Sequence, residues 1–176
     1  MRRAACFLLS ASCLLGLSLG AATAAEVVRV DVQGATGMCK AATQGYANGA
    51  RHRPLAVANE SAANIFVTCN WQGDDRAGSV RGAKRLSVAI GNTGTAARDV
   101  TCTLVNGHQT GGLVFASYVP KTASVAPGGS VDLEWLPADV GNAGASGIDR
   151  PSVSCALPPQ TALQHTRREY NEDVGA

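Results

Sequence analysis

The 176-residue chain carries 15 Lys and Arg against 13 Asp and Glu, and two of the basic residues, Arg2 and Arg3, lie in a leader-like N-terminus. Without them positive and negative charge balance, which removes the clustered basic surplus that nucleic acid or an anionic membrane would require. The remaining length suits one domain with a sizeable core, and no later apolar run is long enough to cross a bilayer as a helix.

The opening MRRAACFLLSASCLLGLSLGAATAA has a basic start, an apolar run from Cys6 to Leu19, and small residues Ala22-Thr23-Ala24 at its end. This is the pattern of a secretory signal peptide over residues 1–25, with residues 26–176 as a single β-sandwich domain. A membrane anchor would need about 20 apolar residues, more than this run supplies. Cys13 sits in a poor lipidation context, because Ser10 stands where a branched apolar residue belongs. Cys6 and Cys13 therefore leave with the leader, and the protein is expected in the periplasm or outside the cell.

Period-2 alternation then recurs along the chain. Val28, Val30 and Val32 alternate with Arg29 and Asp31. The stretch from Tyr46 to Ala63 is ambiguous: loop, short helix, or a short strand at Leu55 to Val57. Ile65, Val67, Cys69 and Trp71 share one face, as do Leu86, Val88 and Ile90. In DVTCTLVNG, residues Val100, Cys102 and Leu104 point one way. LVFASYVP follows, then Val131, Leu133 and Trp135 in phase, then Val153, Cys155 and Leu157 in phase. The polar segment from His165 to Asn171 reads as an exposed edge strand or a frayed tail.

Turn-forming stretches separate these runs: NWQGDDRAGSVRG, GNTG, NGHQTGG, APGGS and VGNAGASGIDRP. Seven or so strands at this spacing predict an all-β fold, a single antiparallel β-sandwich of immunoglobulin-like or jelly-roll-like type with two disulfides. No internal repeat and no inter-domain linker is expected.

Four cysteines remain beyond the leader: Cys39, Cys69, Cys102 and Cys155. An even number in an exported chain reads as two disulfides. A structural zinc site is the weaker reading, since no pair has C-x-x-C spacing and no histidine lies close by. Cys102 and Cys155 each lie in phase with apolar neighbours and pair inside the sandwich on this reading, leaving Cys39 for Cys69. A bridge across a loop of some 50 residues contributes on the order of 4 kcal/mol.

The segment VAIGNTGTAARDVTCTL followed by SVAPGGSVDLEW resembles bacterial immunoglobulin-like domains of the cell-adhesion-related (CARDB) kind, through Asn92-Thr93-Gly94 and Pro127-Gly128-Gly129-Ser130. Over Cys39 to Pro159, the order MC, VTCNW, VTCTL, SVSCALPP is similar to uncharacterised exported bacterial four-cysteine β-sandwich proteins. Both resemblances imply a sandwich, and neither carries a functional residue.

Chemistry-bearing motifs are sparse. His52, His108 and His165 stand in contexts that read as loops or termini, more in keeping with solvated residues than with bases or ligands. Gly144-Ala145-Ser146-Gly147 lacks nucleophile-elbow spacing. Asp74 and Asp75 beside Arg76 read as a solvated turn rather than a calcium site. The clusters Arg51-His52-Arg53 and Arg81 to Arg85 lack the interleaved aromatics of a stacking surface. Asn59-Glu60-Ser61 matches the N-glycosylation triplet. Trp71 and Trp135 fall in phase with core residues; either becomes a carbohydrate-stacking platform if exposed at a strand end.

These features favour an exported non-catalytic module with a binding or structural role at the cell envelope or outside the cell. No cofactor, metal or catalytic residue is expected. An envelope component, a glycan or another exported protein is the class of partner. The alternative is a small exported hydrolase or hydrolase inhibitor working through loops between strands.

Overall fold

Alternating sequence becomes a two-sheet sandwich in the computed structural model, which describes residues 26–71, 82–142 and 147–174. Its strands in chain order are β1 (Glu26–Gly34), β2 (Cys39–Ala41), β3 (Ala50–Arg53), β4 (Ala56–Asn59), β5 (Ile65–Asn70), β6 (Arg85–Asn92), β7 (Arg98–Thr110), β8 (Leu113–Val125), β9 (Ser130–Trp135), β10 (Pro151–Leu157) and β11 (Thr161–Asp173). Two single-turn helices, α1 (Ala35–Met38) and α2 (Gln44–Ala47), lie between the early strands. The first sheet runs β3-β4-β11-β6-β9, with β1 also paired to β11; the second runs β2-β5-β10-β7-β8. Every pairing is antiparallel.

The core is aliphatic, as a chain with few aromatic residues requires. Leu86, Val88, Ile90, Leu133, Trp135 and Leu163 of the first sheet face Val67, Val100, Leu104, Val153 and Leu157 of the second. The Trp135 indole donates its N–H to the Val119 carbonyl at 3.0 Å, so its one polar atom is satisfied inside the sandwich. Trp71 is buried as well, which takes both tryptophans out of contention as exposed platforms.

Cys39 is bonded to Cys69, and Cys102 to Cys155. Each bond joins residues that directly oppose one another on neighbouring strands of the second sheet, with Cα atoms 4.0 Å apart. The staples thus fix lateral neighbours within one sheet and do not tie the two sheets together. They span sequence separations of 30 and 53, loops whose closure is worth about 4 kcal/mol each in the unfolded chain.

Several expectations change. The segment from Tyr46 to Ala63 holds two strands, β3 and β4, and Leu55 is an exposed turn residue between them. The stretch from His165 to Asn171 is no frayed tail or exposed edge: it belongs to β11, an interior strand flanked by β6 on one side and by β4 and β1 on the other. Its polar alternation carries two buried inward residues, one of them packed on an aromatic ring. Thr166 and Arg168 are buried, and the Arg168 guanidinium lies 4.3 Å from the centre of the Tyr170 ring. NGHQTGG is mostly strand, and only Gly111 and Gly112 form the turn, both at positive φ as a two-residue hairpin requires.

Candidate functional site

At one end of the sandwich the outer face of the first sheet sinks into a groove of about 590 Å³. Its floor follows from strand register. Inward-facing Val57, Leu163 and Ile90 leave Ala58, Ala162 and Gly91 pointing outward, and these three pair across β4, β11 and β6. Ser130 of β9 continues the row beside Gly91. With side chains no larger than a hydroxymethyl group, the row makes a shallow trough across four strands.

Two glutamines lie in this trough. The Gln164 amide rests on Gly91, where a Cβ would come within 2.6 Å of its Nε2. Its Oε1 accepts a hydrogen bond from the Ser130 hydroxyl at 2.9 Å, so its N–H groups are the ones left for a ligand. Gln160 is the one non-glycine at positive φ among the described residues, at 66°. A left-handed glutamine costs about 1 kcal/mol or more, and such strain persists only where the surroundings hold it. Here its N–H donates to the Asn59 carbonyl at 3.0 Å, and its own carbonyl accepts from the Thr93 N–H at 2.8 Å and the Thr93 hydroxyl at 3.1 Å. The side chain is thereby aimed at Gly94, where a Cβ would meet Oε1 at 2.7 Å.

The loops that rim the groove are held by a duplicated device. Asn59 ends β4 and donates its amide to the carbonyls of Ala63 at 2.8 Å and Leu157 at 2.7 Å. Asn92 ends β6 and donates to Ala96 at 2.8 Å and Val125 at 2.9 Å. Their Oδ1 atoms accept from the backbone N–H two residues on, at Ser61 and Gly94. Each asparagine therefore turns the chain from the first sheet towards the second and clamps the last carbonyl of a second-sheet strand. The sequence repeats with the geometry: Asn59, Ala63 and Val67-Thr68-Cys69 match Asn92, Ala96 and Val100-Thr101-Cys102. This N-x-x-x-A-x-x-x-V-T-C pattern is a short internal repeat, contrary to the expectation of none.

Burial of Asn59 also disposes of the glycosylation triplet in the folded protein, because both hydrogens of its amide nitrogen are engaged. The two turn motifs Asn92-Thr93-Gly94 and Pro127-Gly128-Gly129-Ser130 meet at this rim. The Gly128 N–H donates to Asn92 at 2.9 Å and the Asn92 N–H to Gly129 at 3.0 Å.

Charge is cancelled around the groove. Arg53, on its rim, holds Glu60 through Nε at 2.8 Å and a second guanidinium nitrogen at 2.5 Å. Further along the same outer face, Arg85 pairs with Glu134 at 3.3 Å, and Arg167 with Glu169 at 3.4 Å. The remaining rim chemistry is amide, hydroxyl and backbone.

The three histidines lie on strands and not on loops: His52 on β3, His108 on β7 and His165 on β11. They are not brought together, nor does any described group of three or more His, Cys, Asp or Glu side chains form a metal-binding cluster. Asp74, Asp75, Arg76, Arg81, Gly144, Ala145, Ser146 and the leader with Cys6 and Cys13 lie outside the described residues. Sequence reasoning passed over Gln160 and Gln164 altogether. Their one legible signal was the pair of asparagine-led loops on either side of them.

No protein-family model and no curated protein matches the sequence. Solved structures with which it aligns include an exo-β-1,3-galactanase from Phanerochaete chrysosporium, at 14% identity and a TM-score of 0.41 over 81% of this chain and 29% of that one. A GH26-CBM35 β-(1,4)-mannanase from Podospora anserina aligns at 14% identity and 0.35, over 79% and 27%. The family 11 carbohydrate-binding module from Clostridium thermocellum aligns at 8% identity and 0.40, over 82% and 86%. The chain thus spans less than a third of the galactanase and mannanase chains.

Proposed function

We propose that the protein is an exported, non-catalytic module that binds a neutral glycan of the cell envelope or its surroundings in the groove between the Asn59 and Asn92 loops. The observation that carries this reading is the pair of glutamine amides, Gln160 and Gln164, laid over glycines on a floor of alanine and glycine. A carboxamide both donates and accepts, as does a sugar hydroxyl. A trough of methyl groups and bare backbone accepts the flat C–H face of a sugar ring. Because Arg53 and Glu60 neutralise each other, the rim favours an uncharged ligand over a phosphate or a uronate.

The same lining argues against the hydrolase alternative. Glycoside hydrolysis takes a pair of carboxyl groups roughly 5 to 9.5 Å apart across the scissile bond. Glu60 is the one acid in the groove lining among the described residues, and its carboxylate is engaged by Arg53. Export rests on the leader pattern of residues 1–25 and on two disulfides, which persist in oxidising compartments.

Affinity electrophoresis through gels containing β-glucan, galactan, mannan or solubilised peptidoglycan tests the assignment. Retardation by at least one of these, lost in Gln160→Ala and Gln164→Ala, is the expected result. Retardation by none, or retardation that both variants retain, contradicts it.

A further inference from the structure

The β7–β8 hairpin outruns the sheet that carries it. Its last pairing with β10 is Asn106 opposite Pro151, yet β7 continues to Thr110. At the rise of an antiparallel strand, those four extra residues project roughly 13 Å as a bare two-stranded ribbon. Leu113 and Phe115 keep the inward phase of Val119 and Val125, but among the described residues no strand of the opposing sheet reaches them, and they are 63% and 55% exposed. The opposite face is apolar too, with Val114 at 57% and Tyr118 at 61% exposed. His108 sits opposite Phe115 and stacks on it, with ring centres 5.4 Å apart.

We propose that this tip enters the interfacial layer of a lipid bilayer and seats the module on a membrane through uncharged contacts. Three observations select lipid over a protein partner. Docking on a protein surface covers one face of a ribbon, whereas β8 presents large exposed apolar side chains on both, Leu113 and Phe115 on one and Val114 and Tyr118 on the other, which a surrounding apolar phase accommodates. Between Cys102 and Lys121 the chain has no Asp, Glu, Lys or Arg. Every other sheet edge carries charge that discourages association: Arg29 and Asp31 on β1, Lys40 on β2, Arg51 and Arg53 on β3, Asp132 and Glu134 on β9. The ribbon's unpaired edge N–H and C=O groups limit entry to the headgroup and upper acyl region, since they have no partner in hydrocarbon.

Flotation of the oxidised protein with phosphatidylcholine vesicles, at low and high salt, tests the proposal. The protein floats with the vesicles equally at both salts. Leu113→Ser combined with Phe115→Ser lowers the partition coefficient by more than about tenfold, as loss of two large apolar contacts requires. Gln164→Ala floats like the wild type, which separates this site from the glycan groove. Tip side chains carry little of the fold, so the double variant should melt with the wild type. In a Phe115→Trp variant the added fluorescence shifts to the blue on mixing with vesicles. The proposal is overturned if the wild type stays unbound, if salt releases it, if the serine variant floats as well, or if the serine substitutions dissolve a dimer seen without lipid.

Discussion

The two ends of the sandwich use the same strands in opposite ways. At the groove end, β4, β6, β8 and β10 stop together, and their last carbonyls and loops are gathered by Asn59, Asn92 and the main chain of Gln160 into a closed hydrogen-bond system. At the other end β7 and β8 run on alone, and side chains in core phase emerge where no core is left. The difference shows that alternation specifies which way a side chain points but not whether anything covers it. Cover depends on where neighbouring strands stop. Polar groups are saturated at the first end, whereas the second leaves apolar area exposed.

The comparison can be broken at its shared centre first. Replacing Cys102 and Cys155 together by alanine should cost about 4 kcal/mol, read as a fall in the denaturant midpoint, and should weaken both ends together. Asn92→Ala strands the carbonyls of Ala96 and Val125, and should cost roughly 2–4 kcal/mol while loosening only the groove end. Calorimetric melting with parallel glycan and vesicle binding would show whether the loss stays local. Gly91→Ala is gentler on the fold, because the atom in its way is the end of a flexible glutamine. It should displace the Gln164 amide, reduce glycan affinity about tenfold, and change stability by less than about 1 kcal/mol.

The smallest effect concerns the turn after β9, where Asp139 bonds Lys121 at 2.8 Å. Burial pushes this carboxyl up, but the Leu136 backbone N–H together with the hydrogen bond and charge of Lys121 outweigh it and hold the pKa below the ordinary 3.8. A lowered carboxyl pKa stabilises above the unfolded value and loses that contribution as pH falls through the folded value. Asp139→Asn should therefore lower stability slightly near neutrality and flatten the curve between about pH 5 and pH 2, so that variant and wild type converge in acid.

Much of the architecture was legible because it depends on phase. Val67, Cys69, Val100, Cys102, Val153 and Cys155 alternate with polar residues, and alternation on strands of a two-sheet protein means an inner face. The long polar strand β11 was not legible, since its inward positions are Thr166 and Arg168 and its burial comes from neighbours far away in sequence. The groove escaped for a related reason. Its floor is a cross-strand row of Ala58, Ala162 and Gly91 that exists only once register is known, and small residues leave no periodic signature. The duplicated asparagine motif was visible as text, but its meaning required seeing both amides grip carbonyls of the opposite sheet. LVFASYVP read as a strand, which it is; that its first three residues project beyond the body depends on β10 starting at Pro151.

The central claim, that a neutral glycan occupies the groove end, is tested most directly by following side-chain amide resonances while the protein is titrated with an oligosaccharide of whichever polysaccharide retards it. The account predicts that the amide signals of Gln160 and Gln164 shift and saturate together while that of Gln109, on the projecting hairpin, stays in place. Movement of Gln109 with Gln160 and Gln164 unmoved would contradict it and place glycan recognition at the other end of the molecule.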